Sequence, residues 1–430
     1  MRTIQTHTIS DIEAFKDQLL LWSQQFNEVV WLDSNAYKDH LSSYDAILAV
    51  DAHSSLQTSY HGAFEQLKAY QTQMKDWIFG YLTYDLKNDL EDLTSENFDG
   101  LQFPDLFFFQ PKKLFLIKGN TVEIQYLQSL EPEIKPDLND ICHCEEERRG
   151  NPTNDIKIKL RIHKDAYFEK VNTMLGHIHR GDIYEANFCQ ECYVENVQIH
   201  PLDTFKKLNN ISKTPFATFL KYNNNYLLSA SPERYLKKEG NTIISQPIKG
   251  TAKRSENASE DEQLKRNLQS DEKERSENIM IVDLVRNDLS HTAIKASVKI
   301  EELCNVYTFA QVHQMISTVT SKIDKTTHPV EVITSTFPMG SMTGAPKISA
   351  MKIIETLEET KRGLYSGAVG YFTPNGDFDF NVVIRSILYN EEKRYASYSV
   401  GSAITAKSDP VKEYEECLVK AKAMREVLEH

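Results

Sequence analysis

The chain is short of cysteine, of positive charge and of long apolar runs, and each shortage closes a class of function. Six cysteines in 430 residues are too few for a disulfide-stapled fold. Cys189 with Cys192, and Cys142-His143-Cys144, are compact enough to suggest zinc ligands, but no second C-x-x-C completes a four-cysteine site. Cys189 lies in an extended-looking run, where a spacing of three sends side chains to opposite faces. Ordinary thiols are the expectation. Lys and Arg number 49 against 62 Asp and Glu, a net charge of −13. That argues against a nucleic-acid partner, which needs a basic surface to replace counterions. It also disfavours attachment to an anionic membrane by a polybasic patch. Ala46-Ile47-Leu48-Ala49-Val50 is strand-sized, and no stretch reaches the length of a bilayer span. Met1 to His7 lacks the apolar run of a signal peptide. The expectation is a cytoplasmic protein with reduced thiols.

What is present is an ordinary globular composition. With 40% hydrophobic and 26% charged residues, a chain of this length buries a substantial core, and length alone suggests two or three units. Ser10 to Gln25 reads as a helix with a capping-box spacing between Ser10 and Glu13. Val29 to Leu32, Tyr44 to Val50, and Phe107 to Phe109 read as strands. Lys113 to Ile117 and Thr121 to Tyr126 suggest a hairpin across Lys118-Gly119-Asn120. From 131 to 155 the chain is acidic and proline-punctuated, which fits an exposed connector. Tyr167, Val171, Met174, Leu175 and Ile178 recur at helical spacing up to Gly181. Asp271 to Asp288, Pro346 to Glu359 and Pro410 to Leu428 also read as helices, the last capped by Asp409. Leu364 to Tyr371 and Asn381 to Tyr389 alternate like strands. There is no strict βαβ alternation, so the fold class expected is α+β with mainly antiparallel sheets.

Four groupings have chemical potential. Glu274 with Glu277, and Glu413 with Glu416, sit three apart on helices, so each pair shares a face. If the two helices met, their carboxylates would need protons or a hard divalent ion such as Mg²⁺; solvated helix faces are the commoner outcome of such spacing. Pro247-Ile248-Lys249-Gly250-Thr251 puts a lysine after a strand, where burial or a nearby cation would make it a nucleophile. Ordinary surface-turn lysines look the same. Ser231-Pro232-Glu233-Arg234 offers a general acid or a salt bridge between neighbours. Gly340 to Lys347 places small residues, Thr343 among them, before a helix N-terminus, without the phosphate-loop pattern. Gly401-Ser402-Ala403 is a second small-residue patch, and Arg385 is a candidate carboxylate clamp.

Taken in order, these stretches and Glu277 to Asp288 (ENIMIVDLVRND) resemble the chorismate-utilising enzymes. The likeness is dense from about residue 160 onward. Before that, only Trp31-Leu32-Asp33-Ser34 is similar to a family segment, Leu-Leu-Glu-Ser. The resemblance implies one large two-lobed antiparallel β-sandwich flanked by helices. Residues 1–130 would contribute to the shared sandwich, 131–155 would be an acidic connector or insertion, and 156–430 the chorismate-binding catalytic region. It implies chorismate as substrate and Mg²⁺ as cofactor, with Glu277 and Glu416 as its closest ligands and Glu274 and Glu413 direct or through water. Gly250, Thr251, Thr343, Tyr365, Arg385, Gly401, Ser402 and Ala403 fall where the family holds chorismate.

Lys249 points to the aminodeoxychorismate branch, because anthranilate synthases usually carry a small residue there. By that likeness Lys249 attacks ring C2, Glu233 protonates the departing C4 hydroxyl, and ammonia then displaces the lysine at C4. With the sequence ending at His430, ammonia is expected from a separate glutamine amidotransferase subunit. Two positions depart from the pattern. Glu185 stands where amino-transferring relatives have Gln and isochorismate synthases Lys; it is read as a group that could hold or deprotonate incoming ammonium. Gln314 stands where relatives have His, and His313 is one residue off, facing the other way if this is a strand. The rivals are anthranilate synthase component I and, more distantly, a non-catalytic binding protein that kept the fold.

Overall fold

A computed structural model describes residues 1–37, 41–144, 156–309 and 312–429. Its backbone is a network of strands joined almost throughout in antiparallel pairs. Ala46–Thr58 runs along Leu106–Lys118, Glu185–Val194 along Tyr395–Thr405, and Val312–Lys322 beside both Lys299–Thr308 and Ile248–Lys253. The α+β sandwich flanked by helices is the observed architecture.

The strand sequences explain why the sandwich has a helical coat. Glu28–Asp33 reads EVVWLD, apolar on both faces. Val29 and Trp31 face a core shared with helices through Phe15, Leu19, Tyr167 and Phe205. Val30 faces the interior between the sheet layers, with Phe79, Phe108, Val369 and Phe380. Successive residues point to opposite faces, so a sheet covered on both sides has no polar alternation. Each such side chain fully buried contributes roughly 1.5–3 kcal/mol.

Several sequence expectations change. The first helix is Ile12–Trp22, and Asp11 rather than Ser10 caps it by accepting from the Ala14 amide. The strand fragments around Phe107 and Lys113 are one strand, Leu106–Lys118. Its Pro111 is tolerated because the partner strand shifts register between Ala52 and Ser54 there. The acidic connector is helical over Ile134–Cys142, anchored by buried Ile134 and Ile141. Asp137 turns inward to accept from Lys113 Nζ (2.6 Å) and Tyr126 Oη (2.8 Å). The remainder of that connector, 145–155, lies outside the described residues. Asn381 to Tyr389 is two strands, Phe378–Val382 and Ser386–Asn390, parted where Arg385 takes φ 53°.

All six cysteines are free. Cys189 belongs to the interior core and Cys192 to the helix-side core, as the extended spacing required. Among the described residues no helix is long and apolar enough to cross a membrane.

Candidate active site

The site is assembled from distant parts of the chain. Strand Ile248–Lys253 slips register against Val312–Lys322 between Ile248 and Thr251, and Gly250 sits in the slip at φ 91°. A side chain at Gly250 would be strained by that φ. Its Cβ would also stand 3.1 Å from Glu274 Oε2. Glycine therefore lets the Lys249 turn close against the helix Glu272–Ser290, which carries Glu274 and Glu277.

Lys249 is mostly buried. Its Nζ lies 3.8 Å from Glu185 Oε1. Burial pulls the lysine's pKa down, but the negative charges of Glu185, Glu277, Glu233 and Glu416 outweigh it and hold the group above its usual value. In the free protein Lys249 is therefore an ammonium. This corrects the expectation of a lysine lowered by burial or a neighbouring cation. The negative charge that acts on it comes from acids on four separate segments, with Glu185 within 3.8 Å.

Glu233 occupies the turn after strand Asn225–Ser231. Its amide donates to Ser231 Oγ (3.3 Å), and its Oε1 accepts from Ser341 Oγ (2.7 Å). Burial pushes its carboxyl up to about 7, against lowering by Ser341 and Lys249. It is thus a carboxylic acid able to hold a proton near neutrality, as a general acid must. The neighbour Arg234 does not neutralise it, because Arg234 pairs with Asp379 at 3.0 Å.

The two carboxylate pairs come from Glu272–Ser290 and from Pro410–Glu429. Glu277 is raised to about 7 by burial, with Lys249 and Lys273 lowering it and Glu274 and Glu185 raising it further. Burial also raises Glu274. Glu416 is pushed up by burial but brought below the usual range by Lys420, at 2.6 Å, and by Lys249 and Lys273. Glu413 is buried on the same helix. Lys249 and Lys273 act on both Glu277 and Glu416, so the two pairs face one region. Among the described residues no three acids stand close enough to form a ready-made metal cage. All-oxygen donors, with Glu277 under-compensated, suit a hard ion that takes few protein ligands and keeps its waters, as Mg²⁺ does.

The small-residue patch lies in strand Tyr395–Thr405, where Gly401 pairs with Cys189 and Ala403 with Asn187. Gly401 is required by crowding: a Cβ would meet Cys189 Sγ at 2.5 Å. Ser402 is buried between these two. Lys420 Nζ donates to the Gly401 carbonyl (2.9 Å), tying the closing helix to this strand. Arg385 Nη1 donates to the Lys420 carbonyl (3.2 Å). No carboxylate among the described residues is within ion-pair distance of Arg385, and burial holds its pKa down. Among the described residues it makes no close ion pair, and Glu416 acts on it only beyond ion-pair distance. Tyr365 is buried with its hydroxyl 3.8 Å from Cys189 Sγ. Thr343 is buried, its hydroxyl turned back to Met339 and Gly340 carbonyls (3.3 Å each); its backbone carbonyl accepts from the Asn187 amide (2.8 Å).

Thr251 lies opposite Gln314, whose buried Oε1 has no hydrogen-bond partner. His313 is turned the other way, 3.0 Å from both Thr308 Oγ1 and Asp261. Sequence reasoning missed Ser341, Lys273 and Lys420. The two lysines stand four residues from Glu277 and Glu416 on their own helices, a spacing that was legible. Ser341 meets Glu233 across 108 residues, and no local signal announces that. A cleft of about 650 Å³ lies elsewhere, beside Arg2, Trp77 and Lys238. Two of its lining cations are paired with acids of the same cleft, Arg2 with Asp76 (2.8 Å) and Lys238 with Asp377 (2.9 Å).

A family model for chorismate binding enzymes matches residues 21–426. Over 274 residues the chain is 40% identical to the aminodeoxychorismate synthase of Streptomyces griseus, covering 63% of this chain but only 37% of that protein. It spans about a third of the length of that relative. With aminodeoxychorismate synthase component 1 of Bacillus subtilis (strain 168) it shares 31% identity over 366 residues, 81% of this chain and 76% of that one. The solved anthranilate synthase component I of Streptococcus pneumoniae TIGR4 superposes with a TM-score of 0.79 at 24% identity, covering 90% and 94% of the two chains.

Proposed function

The chain belongs to the chorismate binding enzyme family, and we propose that within it the protein aminates chorismate at C4 to give 4-amino-4-deoxychorismate, a step toward para-aminobenzoate and folate. The observation that carries the reading is Lys249 held among Glu185, Glu233, Glu277 and Glu416, with Glu233 buried and raised to about 7. A lysine at this point supplies a nucleophile that a small residue would not.

In this reading the Lys249 amine adds at ring C2 while Glu233 gives its proton to the departing C4 hydroxyl. Ammonia then adds at C4 and the lysine leaves. Arg385, with no close ion pair among the described residues, binds a substrate carboxylate. Gly250, Thr251, Thr343, Tyr365 and Gly401-Ser402-Ala403 shape the wall around the ring. Glu277 and Glu416 would hold Mg²⁺ most closely, with Glu274 and Glu413 direct or through water. When bound, the ion supplies polarisation of the ring acid and compensation of developing charge. Ammonia is proposed to come from glutamine through a separate amidotransferase subunit; the component 1 wording of the Bacillus relative's name is in keeping with a second component.

The test is to incubate the purified chain with chorismate, Mg²⁺ and ammonium, and to identify products by mass. Aminodeoxychorismate is expected. Anthranilate with pyruvate would overturn the reading in favour of anthranilate synthase, and no turnover even with an added amidotransferase would favour a binding protein. Lys249→Ala is expected to abolish both turnover and any covalent adduct seen by intact mass.

A further inference from the structure

Glu185 is the most unusual carboxylate in the site. It opens strand Glu185–Val194, pinned on both sides by pairing with Ala345 and Thr405. Its side chain is fully buried, and neither carboxylate oxygen has a hydrogen-bond partner. A buried carboxylate left without partners costs several kcal/mol, so a group in this position is explained only by what it faces. Its cation is Lys249, with Nζ at 3.8 Å, near enough for a small movement to close a hydrogen bond. The other acids that act on Lys249 are differently engaged. Glu233 Oε1 accepts from Ser341, Glu416 pairs with Lys420, and Glu277 lies beside Lys273 at 3.7 Å.

The lysine itself poses the problem. An amine attacks carbon only when neutral, yet Lys249 stands 3.8 Å from the buried, otherwise unpartnered carboxylate of Glu185, a pairing that favours the ammonium. We propose that Glu185 is the proton acceptor that converts the Lys249 ammonium to the attacking amine and returns the proton when that amine is expelled. The idea rests on the amination reading above and deepens it. Its balance closes. Lys249 passes one Nζ proton to a Glu185 oxygen, and the freed electron pair forms the bond to C2. The C4–O bond breaks, with its oxygen taking the Glu233 proton to leave as water. Ammonia forms the C4–N bond, and the C2–N bond breaks back to a neutral lysine, which recovers its proton from Glu185. The new C4 ammonium returns one proton to Glu233. Burial raises Glu185 above the ordinary carboxyl value against lowering by Lys249, so its buried carboxylate takes a proton more readily than an exposed one would.

An internal transfer has a kinetic signature. While the pair carries one proton between two sites, the fraction with a neutral lysine is independent of pH. If Glu185 cannot accept, the proton must go to solvent, and the neutral fraction rises about tenfold per pH unit. The experiment follows formation of the Lys249 adduct by rapid-quench intact mass, with chorismate and Mg²⁺ and no ammonium, from about pH 6 to about pH 7. Over that range Glu233, raised to about 7, loses at most about half of its proton, which lowers a rate by no more than about twofold and cannot mimic or mask a tenfold climb. Wild type is expected to be level. Glu185→Gln is expected to be slower and to climb about tenfold across the unit. A level Glu185→Gln profile, at any rate, overturns the proposal, and a slower level one assigns Glu185 a positioning role only. A wild-type rate that itself climbs tenfold overturns it without any variant, so the test survives misfolding of Glu185→Gln. If Lys249→Ala still forms product, the nucleophile reading beneath has failed instead.

Discussion

Glu233→Gln separates what the buried acid does for the fold from what it does for the reaction. In the folded protein this carboxyl rises from the ordinary 4.5 to about 7 because burial penalises its charge. The folded state therefore binds a proton that the unfolded chain has released between those values. Stability from this group is complete below about pH 4.5 and is lost as pH rises through about 7. At about 1.4 kcal/mol per pH unit, the loss is about 3 kcal/mol. Glutamine does not titrate, and its Oε1 still accepts from Ser341 Oγ, now 2.7 Å from Glu233. The stability gap between Glu233→Gln and wild type should therefore move in the variant's favour by about 3 kcal/mol between about pH 4.5 and about pH 8. For a chain of 430 residues that corresponds to about 3 °C in Tm. Paired calorimetric scans at the two pH values measure it, and titration of Glu277, common to both proteins, cancels in the difference. The same variant should lose about 10²- to 10⁴-fold in turnover for want of the acid. A gap that stays the same at both pH values, or that turns toward wild type at high pH, would refute the assignment of Glu233 as a carboxylic acid kept protonated by burial.

Other expectations follow from the same geometry. Arg385→Ala should raise KM for chorismate by about tenfold to a hundredfold, the worth of a charge-assisted hydrogen bond. Because Arg385 makes no close ion pair among the described residues and gives up only the hydrogen bond to the Lys420 carbonyl, Tm should stay close to wild type; an unchanged KM counts against the clamp. Gly401→Ala should destabilise by about 1–3 kcal/mol in denaturant titration, since its Cβ would lie 2.5 Å from Cys189 Sγ and 2.7 Å from the Phe188 carbonyl. Glu277→Gln should raise the Mg²⁺ concentration for half-maximal activity by about tenfold or more, and an unaltered Mg²⁺ titration would remove Glu277 from the ligand set.

Local signals read well where one element decides them. The 3.6 period of Tyr167, Val171, Met174 and Ile178, stopped by Gly181, predicts the helix Lys164–Arg180, with Gly181 at φ 91°. Asp271 caps Glu272–Ser290 by accepting from the Glu274 amide. The register at Gln314 and His313 was legible for the same reason, because neighbours on a strand face opposite ways. The misreadings arose where a distant partner overrides local preference. The acidic run around Asp137 is helical because Lys113 and Tyr126 draw that acid inward. The strand predicted through Arg385 breaks because its backbone turns to φ 53°.

By itself the sequence determined the helix-borne pairs Glu274–Glu277 and Glu413–Glu416, the glycine beside Lys249 and the alternation that makes a sheet apolar on both faces, because each depends on a spacing of a few residues. Only the tertiary structure decided that Glu185, Glu233, Glu277 and Glu416 surround one lysine. It also decided that Ser341 meets Glu233, and that Arg385 makes no close ion pair among the described residues. The physical reason is that charge states are set by burial and by the distance between charges, and both arise only when segments remote in sequence are packed together.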